Sequence, residues 1–76
     1  MGEAKYEKQL RSYLNKQLKK ARWFPEYSRT YFIQAAGAVF FVLDELINGD
    51  KVLWNYYNDI WEEEYHPRFV ELGALK

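Results

Sequence analysis

The chain reads as an all-α protein, a small three-helix, up-down-up bundle with a short C-terminal appendage. Three observations predict it. Apolar residues recur at spacings of three and four in successive segments. Two prolines and an Asn-Gly pair punctuate those segments. The joints between them are short, which favours antiparallel neighbours. At 76 residues there is room for a single helical domain spanning positions 1–76, with helices expected over 4–22, 28–47 and 51–66.

In the first segment Tyr6, Leu10, Tyr13, Leu14, Leu18 and Ala21 fall on one side of a helix. Lys5, Lys8, Lys16 and Lys19 lie opposite. Pro25 stops this helix, because the residue before a proline is pushed out of the helical region. The second helix starts between Pro25 and Thr30, either with Pro25 at its first position or with Ser28 as cap. It runs to about Ile47 and ends at Asn48-Gly49. From Tyr31 to Leu43 only Gln34 is strongly polar, which predicts a buried central helix with Ala35, Val39, Val42, Leu43 and Leu46 in the core. A membrane span needs about 20 apolar residues, and this run meets Asp44 and Glu45 well before that.

Asp50 is placed to cap the third helix, which runs from Lys51 to His66 before Pro67 breaks it. Its apolar residues form two stripes. Leu53, Tyr56, Tyr57 and Ile60 make one, with Leu53, Tyr57 and Ile60 expected in the core, and Trp54, Trp61 and Tyr65 make the surplus. The tail holds Phe69, Val70, Leu72 and Leu75, enough for a short turn docked on the bundle.

Charge is unevenly distributed although formal net charge is zero. Residues 1–24 hold seven Lys or Arg against Glu3 and Glu7, whereas residues 25–76 hold four against nine acidic residues. With no cysteine, neither disulfides nor a thiolate metal site reinforces the domain. Fifteen aromatics must therefore fill much of the interior. The first ten residues lack the apolar core of a signal peptide, which reads as a cytoplasmic protein.

No constellation points to catalysis, so a non-enzymatic role without a cofactor is expected. Ser12, Ser28 and Thr30 have no adjacent base, and the glycines are isolated rather than forming a phosphate loop. Glu62 and His66 share a helix face, and Glu63 stands nearby. Without a second His or a Cys this donor set falls short of a metal site, and a solvated acidic helix end explains it.

Two surfaces remain. Tyr and Trp are favoured where a rigid apolar body meets water, so Trp54, Trp61 and Tyr65 are candidates for an interface with a protein partner or a second copy. Phe41 is another candidate, because it falls in the least apolar sector of the central helix beside Gln34, Gly37 and Asp44. Small residues there admit a second helix, unless another helix of the same chain fills the groove. The alternative is a nucleic-acid-associated protein that neutralises phosphates with Lys5, Lys8, Lys16 and Lys19. A helix-turn-helix reading is disfavoured, because the third helix's polar face of Asn55, Asn58, Asp59, Glu62 and Glu63 repels phosphate. The expected function is a small intracellular protein-interaction or regulatory module, with no membrane partner.

Overall fold

The computed structural model describes residues 5–47 and 49–75, and these form three helical rods with no strand among them. The first rod is α1, Glu7–Trp23. The second is α2, Ser28–Phe41, which continues into a wider π turn at Val42–Leu46. The third is α3, Lys51–Asp59, a second π turn at Ile60–Tyr65, and α4, His66–Glu71.

Contacts between the rods give their directions. Tyr6, just before α1, donates its backbone N–H to the Tyr57 hydroxyl at 3.0 Å. Further along α1, the Arg11 guanidinium grips both oxygens of Glu64. The first and third rods therefore ascend together. Phe32, near the start of α2, packs against Trp61 and Phe69 late in the third rod, with ring centroids 5.6 and 5.7 Å apart. The middle rod descends, which makes the arrangement up-down-up as the short joints predict.

Most boundaries follow local chemistry. Phe24 leaves the helical region before Pro25, and Pro25–Tyr27 form one 3-10 turn. Asp50 caps α3 by accepting the Leu53 N–H at 3.0 Å. Ser28 does not act as a cap. It is the buried first residue of α2, and its own N–H is taken by the Pro25 carbonyl. The 3-10 turn thus supplies an acceptor that a capping side chain would otherwise provide. The expected start at Ala4 and the Asn48 half of the Asn-Gly signal lie outside the described residues.

Three expectations are corrected. First, Pro67 does not end the third helix. Proline clashes with the carbonyl four residues earlier in an α-helix and cannot donate to it. Here the preceding turn is widened, with the His66 N–H bonding to the Trp61 carbonyl five residues back, and Pro67 sits in the first turn of a fresh α segment. The expected appendage is therefore the end of this rod. It closes in a Schellman turn, where Gly73, at φ +83°, bonds Val70 and the buried Ala74 bonds Phe69.

Second, Leu46 is partly exposed, while Ala35, Val39, Val42 and Leu43 are buried as expected. The Ile47 N–H reaches the Val42 carbonyl, five residues back, at 3.1 Å. The extra residue in this π turn rotates Leu46 outward and puts Ile47 in the core.

Third, the middle rod is not buried all round. Ala35 and Val39 face the core, but Ile33, Phe40 and Phe41 remain in water.

Candidate protein-docking surface

The sequence-derived interface stripe is split by the fold. Trp61 and Tyr65 are buried within the chain. Tyr57, Ile60 and Trp61 share the core-facing side at ordinary helical spacing, and the second π turn shifts the register so that Tyr65 and Phe69 join them. Trp61 packs against Phe32, His66 and Phe69, which takes it away from any partner that meets this conformation. The π turn also points Glu64 toward Arg11. Trp54 precedes the turn and stays partly exposed beside Gly49, Asp50 and Lys51.

Phe41 stands in the exposed face of α2, as its sector predicts, and its neighbours complete a patch. Ile33, Gly37, Phe40 and Phe41 recur at spacings of three and four on one side of that helix, so they adjoin. Ile33 is 59% exposed, Phe40 60% and Phe41 56%. At 150–250 Å² per large side chain, the three leave roughly 300 Å² of apolar surface in water. Gly37 lies between them, and a methyl group built there would meet nothing within 4 Å. Neither α1 nor the third rod fills this groove. On the α1 side the patch runs into a shallow trough where Phe41 and the partly exposed Leu46 face Tyr13. Sequence periodicity alone missed Ile33 and Phe40, because an all-apolar helix does not say which side is uncovered.

Polar and charged groups frame this surface. Arg29 and Thr30 lie at its N-terminal end, Asp44 and Glu45 at its C-terminal end, all exposed.

The basic face of α1 is exposed as predicted, at Lys5, Lys8, Lys16 and Lys19. Lys8 and Lys16 border one shallow trough, and Lys16 and Lys19 border another with Lys20, Trp23 and Phe24. Trp23 is 72% exposed at the corner between α1 and α2. Trp23 and Phe24 carry no site signal in the sequence, because they precede the helix-stopping proline. Lys5 sits over the ring of its neighbour Tyr6, 5.4 Å from the centroid.

Arg11, by contrast, is committed within the fold. Glu64 and Glu7 both bind its guanidinium, with N–O distances of 2.7 and 2.8 Å, and raise its affinity for the proton. The Tyr56 hydroxyl donates to Glu7, and together with Arg11 it holds the Glu7 carboxyl below its ordinary range. Arg11 does the same for Glu64.

Among the described residues no group of three His, Cys, Asp or Glu side chains is placed to hold a metal ion. His66 turns its ring toward Phe32 and Trp61, with centroids 5.7 and 5.8 Å away. No helix of the described residues is long and apolar enough to cross a membrane. Fold and surface together define a small all-α bundle that carries a solvated apolar helix face. Comparison of the chain with family models, curated proteins and solved structures gives no match.

Proposed function

We propose that this protein is a small interaction module with no catalytic role, and that its docking element is the exposed face of α2. The observation that carries this reading is the adjacency of Ile33, Phe40 and Phe41, each more than half exposed, around an unfilled groove at Gly37. Apolar patches of a few hundred Å² on small proteins commonly mark interaction sites. Aromatic anchors of this kind concentrate binding energy when a partner desolvates them.

The test compares the wild type with Phe40→Ser/Phe41→Ser, and with Trp54→Ser as a control on another face. Binding proteins held by the wild type and by Trp54→Ser, but lost by the double variant at unchanged helicity, support the reading. Identical binding by all three refutes it.

The basic corner at Trp23 supports a second reading, an association with single-stranded nucleic acid. Lys16, Lys19 and Lys20 border one trough with Trp23 and Phe24. Cations that track phosphates beside aromatic rings that stack bases are the components of sequence-tolerant single-strand binding. Quenching of tryptophan fluorescence by an oligonucleotide, weakened by salt and by Lys16→Glu/Lys19→Glu, would favour it. Binding unaffected by the two substitutions would remove it.

A further inference from the structure

We infer that the occupant of the α2 face is the α2 face of a second copy, docked antiparallel about a two-fold axis through Gly37. This inference rests on the docking reading above and specifies its partner. The face complements itself. In an antiparallel pairing centred on Gly37, positions equally far on either side of it meet. Phe40 and Phe41 then lie over Ile33 and Gln34 of the second copy, and the reciprocal contact repeats. The bulky rings are thus set against residues that can be covered, and Gly37 faces Gly37, where the absence of side chains lets the two backbones approach.

Charge follows the same rule. Asp44 and Glu45 lie seven and eight residues after Gly37, whereas Thr30 and Arg29 lie seven and eight before it. The antiparallel pairing brings the acidic end of each α2 onto Arg29 of the other copy, at both ends of the contact. The carboxylates also approach the positive end of the opposing α2 helix. Glu26 lies about a turn further out than Arg29, beyond these groups. A parallel pairing would set Asp44 and Glu45 against their own copies and is excluded by repulsion. The trough between Phe41, Leu46 and Tyr13 adjoins the contact and gives the second copy's side chains a place to seat.

The test uses the full chain. The protein contains no cysteine, so Gly37→Cys introduces one reporter thiol at the axis, where the single chain has space for it, and a disulfide once formed holds pairs that the added side chain loosens. Two such thiols come within bridging distance when the two Gly37 faces meet, and the charge variants then separate the antiparallel from the parallel pairing. The expected result is a disulfide-linked dimer formed much faster than with Ser12→Cys on exposed α1, and a wild-type mass in sedimentation that rises with concentration. Arg29→Glu and Glu45→Arg should each weaken the dimer about tenfold, because each reversal acts at two symmetric places. The double variant should recover it, because the swapped charges pair again across the axis. Equal cross-linking by the two thiols, or a monomer at every concentration, overturns the pairing. Weakening by each single variant without recovery in the double overturns the antiparallel register. The docking reading has its own readout. It survives a monomeric result if Phe40→Ser/Phe41→Ser still abolishes a heterologous binding event, and it fails if that variant changes nothing.

Discussion

Truncating Phe41 and truncating Trp61 should have opposite consequences, although both are large aromatics and both are interface candidates from the sequence. Phe41 is 56% exposed, so folding buries less than half of it. Full burial of such a side chain stabilises by about 1.5–3 kcal/mol, which leaves about 1 kcal/mol for the part that is covered. Alanine is the better helix former and returns a few tenths of that. Phe41→Ala should therefore cost about 0.5–1 kcal/mol and open no cavity. Trp61 is 6% exposed and sits between Phe32 and Phe69 at centroid distances of 5.6 and 6.1 Å. Trp61→Ala removes the centre of that cluster and should cost about 3–5 kcal/mol. A domain of this length has a total stability of about 4–11 kcal/mol, so the Trp61 variant stands at or near unfolding. Urea unfolding followed by far-ultraviolet circular dichroism measures both costs, and sedimentation at several concentrations measures association. Phe41→Ala should lower association sharply and hardly move the urea midpoint. A loss above 3 kcal/mol for Phe41→Ala, or below 1 kcal/mol for Trp61→Ala, would refute the division of this chain into core and docking face.

Other outcomes follow from local features. Gln17 is buried on α1, and its Oε1 has no hydrogen-bond partner among the described residues, so Gln17→Met should raise stability by about 1 kcal/mol in the same urea assay. Asp50→Ala should cost about 1 kcal/mol by removing the acceptor for the Leu53 N–H, and amide exchange at the start of α3 should speed up accordingly. Acid should loosen the contact between the first and third rods. Glu7 and Glu64 titrate below the ordinary 4.5 in the folded protein, so the unfolded chain binds more protons between the folded values and 4.5. The stabilisation is present above that window and is lost as pH falls through the folded values. Arg11→Gln should flatten this slope in a pH series of urea midpoints, by no more than about 1 kcal/mol for pairs this exposed.

The parts of the fold that were legible in the sequence are those governed by local chemistry. Pro25 ending α1, Asp50 capping α3 and the core positions Leu10, Leu14, Leu18, Ala35 and Val39 all follow from spacing and residue type. The parts that were not legible trace to the two π turns. A strict α period puts Leu46 inside and ends the third helix at Pro67. One extra residue per turn reverses both, and it brings Tyr65 and Phe69 into the core beside Trp61. Such a turn has no signal in hydrophobic periodicity, because it is selected by packing against other rods. Gln17 was missed for a related reason, since it lies on the apolar side of α1 although its type suggests solvent. Phe41 was readable because Gln34, Gly37 and Asp44 mark its sector as the least apolar. Ile33 and Phe40 flank that sector, and only the packing of the other rods decides that they stay uncovered.

The uncovered α2 face is a consequence of number as well as of sequence. A rod in a three-helix bundle has two neighbours, so it cannot be covered on every side. Here the α1 side holds Phe41 and Leu46 near Tyr13, and the opposite side holds Phe32 against Trp61 and Phe69. Stability alone favours polar residues on the third side, as the lysines of α1 illustrate. Ile33, Phe40 and Phe41 break that rule, and contiguous apolar surface in water is a solubility liability. Gly37 breaks a second rule, since glycine inside a helix costs about 1 kcal/mol relative to alanine. No intrachain contact justifies it, because its Cβ position is open, and no left-handed backbone requires it, because among the described residues only Gly49 and Gly73 have positive φ. Four residues that the monomer's stability does not explain therefore fall on one face of one helix. Oppositely charged groups stand at equal distances on either side of their centre. Burial against an antiparallel copy accounts for the apolar residues, the glycine and the charges together. Gly37→Ala separates this account from the alternative of a merely tolerated glycine. The substitution should raise monomer stability by about 1 kcal/mol in either case. In the account argued here it should also weaken self-association, because a methyl group on each copy then stands in the closest contact. Stabilisation with undiminished association would show that the glycine serves no close approach.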